Sequence, residues 1–99
     1  MLNQSSILQL LKSKKEFLHQ QFGVKNMALF GSFANGNATE LSDVDLLIEF
    51  DEQAKDIFTL KMQLKDYLQN EMGRAVDLAN PKYLKPYVKS KILQSALYA

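Results

Sequence analysis

The sequence predicts a small α/β or α+β domain, a sheet of three or more strands with helices flanking it. Apolar residues recur at helical spacing near both ends of the chain and in its middle. They alternate at strand spacing around Val24–Phe30 and Ser42–Phe50. Gly23 and Gly73 punctuate the pattern, giving the order helix, strand, loop, strand, helix, strand, helix. The periodicity leaves the relative direction of the two central strands open.

The first helix is expected from Ser6 to Phe22. Ser6 and Gln9 have the form of a capping box, Ile7, Leu10, Leu11, Phe17 and Leu18 make the apolar stripe, and Gly23 is the stop. Lys12, Lys14, Lys15 and Glu16 read as a solvated face, and His19 as a surface or boundary histidine rather than a catalyst. In the strand Val24–Phe30, alternation places Val24, Asn26, Ala28 and Phe30 on one face and Lys25, Met27 and Leu29 on the other. The strand runs into Gly31-Ser32, where a glycine lets backbone N–H groups approach an anion. Phe33 to Ser42 then reads as a helical turn and loop, broken at Gly36.

The run Ser42–Phe50 is the most strand-like in the chain, with Val44, Leu46, Ile48 and Phe50 towards the core. Asp43, Asp45, Leu47 and Glu49 take the other face, so the two aspartates stand about 6.6 Å apart along the strand. A polar connection over Asp51–Asp56 leads to a second helix, Asp56 to Met72, marked by Ile57, Leu60, Leu64 and Leu68. Arg74 to Leu78 is a short third strand carrying Asp77. Asn80 and Pro81 form a cap and first helical position, and Pro86 starts a last helix with Val88, Ile92, Leu93 and Ala96 inward.

With 99 residues, the chain is expected to be one domain, 1–99. There is no cysteine and a single histidine, which removes thiolate zinc sites and a cysteine nucleophile and disfavours a histidine-rich metal site or a serine–histidine triad. Carboxylates remain as metal ligands and suit hard cations such as Mg²⁺. A formal net charge of +1 offers no bulk attraction to nucleic acid, and Lys82, Lys85, Lys89 and Lys91 read as a solvated helix face. No signal peptide and no apolar run long enough for a bilayer is visible, so a cytoplasmic protein is expected.

Two aspartates on one strand face repel each other unless a cation or solvent separates them. If Asp77 joins Asp43 and Asp45 from the neighbouring strand, three carboxylates converge, the ligand set for two metal ions about 3.5–4 Å apart. Such a pair can hold the attacking and leaving oxygens of an in-line phosphoryl or nucleotidyl transfer, with Asp77 taking the acceptor's proton. Gly31 and Ser32 would hold the triphosphate. Each piece alone has a plainer reading: a turn for Gly31-Ser32, solvated charge for Asp43 and Asp45, an edge residue for Asp77. Their combination in strand-adjacent positions favours the metal site.

Gly31-Ser32, ten intervening residues, then Asp43-Val44-Asp45 and apolar strand residues resemble the signature of the DNA polymerase beta-like nucleotidyltransferase superfamily. The short chain and its ending, Ile92 to Ala99, are similar to the minimal nucleotidyltransferase branch, the antitoxins of HEPN/MNT toxin–antitoxin systems. The resemblance implies a nucleotidyltransferase fold with a mixed sheet, ATP as co-substrate, two Mg²⁺ ions, and transfer of AMP to a tyrosine of a partner HEPN toxin ribonuclease, which silences it in a hetero-oligomer. By the same resemblance Gly31 and Ser32 would bind the phosphates, and Asp43, Asp45 and Asp77 would be metal-binding and catalytic.

Many members carry arginine where this chain has Asn35. That change gives weight to an alternative, an antitoxin that binds and occludes its toxin without transferring AMP, with Tyr83, Tyr87 and Tyr98 available for a partner surface. A third reading, a nucleotidyltransferase acting on another acceptor such as an aminoglycoside, calls for an acceptor-holding domain that 99 residues do not provide.

Overall fold

In the computed structural model, which describes residues 2–99, four strands form one sheet in the order β3-β2-β1-β4. In chain order the elements are α1 (Gln4–Ser13), α2 (Lys15–Phe22), β1 (Val24–Phe30), α3 (Gly31–Asn35), β2 (Val44–Phe50), α4 (Ile57–Met72), β3 (Val76–Ala79), a 3₁₀ turn (Pro81–Tyr83), α5 (Pro86–Ser95) and β4 (Leu97–Tyr98). β1 pairs antiparallel with β2 and β4, whereas β2 and β3 run parallel. A parallel pair cannot be joined by a tight turn, and α4 supplies the crossover. The sheet is therefore mixed.

The expected first helix is two. Ser13 Oγ donates to the Leu10 carbonyl at 2.8 Å, a back-bond that competes with the helical ladder, and the chain breaks at Lys14 before α2 resumes. The cap also lies earlier than the Ser6 and Gln9 spacing suggests: Asn3 Oδ1 accepts from the Ser6 N–H at 2.8 Å and Ser6 Oγ from the Asn3 N–H at 2.9 Å. Gly23 and Gly73 end α2 and α4 in left-handed conformations, as expected.

β1 departs from strict alternation because its register with β2 slips between Val24 and Asn26. This bulge lets Val24, Met27 and Leu29 all face the core and turns Asn26, Ala28 and Phe30 the other way, correcting the expected placement of Val24. The core lies between this face and α1, α2 and α4. Ile7, Leu11, Leu18, Leu29, Leu46 and Leu64 are fully enclosed there, with Val44, Ile48, Val76 and Leu78 beside them. β4 has no counterpart in the expected element order.

The opposite face is thinly covered. α5 has no buried residue, and Val88 and Leu93, expected inward, are 40% and 37% exposed. Only Ile92 and Ala96 of the expected stripe are half-buried. One ten-residue helix cannot close a sheet face on its own, which leaves the polar side of β2 and β3 accessible.

Candidate active site

β1 ends at Phe30, and the chain turns at once into α3 through Gly31, whose φ of +75° lies in the left-handed region. Phe30 is the cross-strand partner of Asp45, so Gly31 comes to rest against the Asp45 side chain. A Cβ at position 31 would collide with the Asp45 carboxylate. The two halves of the Gly31-Ser32 and Asp43-Val44-Asp45 pattern are thus in direct apposition. Ser32 sits in the first turn of α3, partly exposed, and Asn35 at its last position.

The parallel pairing of β2 with β3 makes Asp45 and Asp77 cross-strand neighbours on the thinly covered face. Asp77 is exposed on an edge strand, and Asp45 is half-buried. Burial, then the charge of Asp77, then that of Asp43 push the Asp45 carboxyl above its usual range. All three acids therefore share one electrostatic neighbourhood. Asp43 differs from expectation in lying just before β2 rather than within it. Among the described residues, no three Asp, Glu, His or Cys side chains converge closely enough to form a metal-binding cluster. The donor set nonetheless fits a hard divalent cation: it is all oxygen, and a cation would relieve the repulsion that Asp45 feels.

Arg74, which sequence reasoning left without a role, binds the turn that precedes Asp43. Its Nη1 donates to the carbonyls of Thr39 at 3.1 Å and Ser42 at 2.8 Å, and its guanidinium lies 5.5 Å from the centre of the Phe33 ring. The Val44 N–H donates to Ala75 O at 2.9 Å, and the Thr39 N–H to Ser42 Oγ at 2.8 Å. The turn feeding Asp43 into β2 is pinned from three sides. The only sequence signal was a cation directly after the Gly73 stop.

The nucleotidyltransferase domain family matches residues 11–99. This chain belongs to that family. A protein of Methanocaldococcus jannaschii provisionally named a protein adenylyltransferase is 40% identical over 95 residues, 95% of each chain. Protein adenylyltransferase MntA of Thermococcus cleftensis is 35% identical over 99 residues, covering 99% of this chain and 97% of the relative. A solved structure provisionally described as a minimal nucleotidyltransferase superposes with a TM-score of 0.81 at 26% identity, covering 97% of this chain and 95% of the other. A toxin–antitoxin structure containing AMP-PNP shares the fold, with a TM-score of 0.67 at 20% identity over 98% of this chain and 72% of the other. The fold is that of the minimal nucleotidyltransferases, and the chain is an enzyme of that family. On the accessible sheet face, Asp45 of β2 lies between Gly31 at the start of α3 and Asp77 of β3. No helix among the described residues is long and apolar enough to cross a membrane.

Proposed function

We propose that residues 1–99 act as one domain, an antitoxin that transfers AMP from ATP to a tyrosine hydroxyl of a partner HEPN toxin and so neutralises it. The observation that carries the reading is the apposition of Gly31 to Asp45, with Asp77 as the cross-strand neighbour of Asp45. Relatives named protein adenylyltransferases, similar along nearly the whole chain, support the reaction class.

Asp43, Asp45 and Asp77 would hold two divalent cations, Mg²⁺ being the natural choice for all-oxygen ligands. When bound, these ions supply charge neutralisation at the triphosphate and acidify the acceptor hydroxyl. Gly31 and Ser32 hold the phosphates. The acceptor oxygen forms a bond to the α-phosphorus as the bond to the bridging oxygen breaks, and pyrophosphate leaves with that electron pair. Asp77, exposed on the edge strand, is reachable by a side chain of a large partner and takes the hydroxyl proton.

A second reading, neutralisation by occlusion, is favoured by Asn35, an uncharged residue at the end of α3. Incubation with labelled ATP, Mg²⁺ and the partner toxin separates the two. Transfer of label by the wild type and its loss in Asp43→Ala with Asp45→Ala is the expected result. Neutralisation without label, equal in wild type and double variant, would overturn the enzymatic reading in favour of occlusion.

A further inference from the structure

Between α3 and α5 lies a cleft of about 750 Å³, within the range of small-molecule sites. Gly31 and Asn35 line one side, and Tyr87, Lys91 and Ser95, at i, i+4 and i+8 on α5, line the other. Lys91 is the only charged residue among those lining it. The Lys91 ammonium has no carboxylate within ion-pair distance among the described residues, where the single ion pair is Lys14 with Glu71.

The other basic side chains near the site are placed elsewhere. Arg74 is committed to the Thr39 and Ser42 carbonyls and lines a separate groove with Leu2 and Phe33. Lys89, on another side of α5, shares its surroundings with Glu49. A cleft that begins at the glycine apposed to Asp45 and carries one unpaired cation on its far wall suits an anion whose one end lies by the carboxylates. A nucleoside triphosphate has that form: its α-phosphorus must reach Asp45, and its remaining phosphates need positive charge beyond the acids.

We propose that Lys91 binds the β- and γ-phosphates of the nucleotide across the cleft from Gly31, supplying from α5 the charge that Asn35 does not supply from α3. The inference rests on the nucleotide-site reading above and assigns a further binding residue to it.

The test is equilibrium binding of ATP and of AMP, each with Mg²⁺, to the full-length wild type, Lys91→Ala and Lys91→Arg. Losing one charge-assisted contact should weaken ATP binding about 10- to 100-fold in Lys91→Ala. AMP affinity should stay within about twofold, because AMP lacks the phosphates concerned. Lys91→Arg, which keeps the charge, should restore most of the ATP affinity. Unchanged ATP binding in Lys91→Ala would overturn the assignment while leaving the nucleotide site standing. An equal loss for ATP and AMP would also overturn it, by showing a structural role. A wild type that binds no ATP would overturn the nucleotide-site reading itself, and the assignment of Lys91 with it.

Discussion

Strand β2 has two faces that live under opposite rules. Val44, Leu46, Ile48 and Phe50 lie in the core against α1, α2 and α4, where the chain spends its large apolar side chains. Asp45 and Glu49, interleaved with them, point to a face covered only in part by α5. The first face holds the strand in place at a fixed register. The second uses that register to set like charges beside one another, a repulsion that a bound cation would relieve. Placing both on one strand ties the geometry of the acids to the rigidity of the core.

Breaking the polar face first, Asp45→Asn should lower AMP transfer by about 10³-fold or more, the loss expected when metal charge stabilisation of several kcal/mol is forfeited. The same change should raise the melting temperature of the metal-free protein at neutral pH. The Asp45 carboxyl holds its proton more tightly folded than unfolded, so ionising it weakens the native state as pH rises from the ordinary aspartate range through the raised value. Thermal melts against pH should therefore show wild type and variant converging in acid, below about pH 4. Added Mg²⁺ should stabilise the wild type alone.

On the core face, Leu46→Ala should cost about 2–5 kcal/mol in denaturant unfolding, because the side chain is fully enclosed and leaves a cavity. A loss below about 1 kcal/mol would mean that the two faces are less different than their burial shows. Gly31→Ala tests the seam between the faces. The left-handed backbone should cost about 1 kcal/mol of stability, whereas displacement of the Asp45 carboxylate should cost about 10²-fold in transfer, a disproportion that kinetics and melts together can read. Arg74→Ala should cost about 1–2 kcal/mol of stability from two lost carbonyl contacts. Its activity should fall further than its stability if the Thr39–Ser42 turn positions Asp43. Arg74→Lys, which cannot reproduce the planar guanidinium, should recover little of that loss.

Reading the chain located the central strands, the Gly31 turn, α4, the stops at Gly23 and Gly73, and the apolar face of β2, because each leaves a local trace: a period of two, a period of 3.6, or a glycine that must adopt positive φ. It failed where the trace is ambiguous or absent. Ser13 looks like any helical serine until its hydroxyl takes the Leu10 carbonyl, so α1 and α2 read as one helix. The slip at Lys25 is invisible in an alternating pattern, so strict alternation puts Val24 on the wrong face. α5 carries apolar residues at helical spacing, yet Val88 and Leu93 stay exposed because no second layer covers them. Lys91 read as one of four solvated lysines, since sequence spacing alone does not show what stands opposite a helix face.

By itself the sequence determined the order of the main elements from the first helical segment to α5 and the stops at Gly23 and Gly73. It also determined that Gly31-Ser32 and Asp43-Val44-Asp45 stand at the end of one strand and the start of the next. These are consequences of side-chain shape and backbone freedom within a few residues. Only the tertiary structure decided that β2 and β3 run parallel, and hence that Asp77 falls beside Asp45. It likewise decided that Arg74 reaches back to the turn before Asp43, and that α5 stands across from Gly31. Those contacts join residues 30 or more positions apart in the chain, and they form only when burial of a shared core selects one pairing of strands over the others.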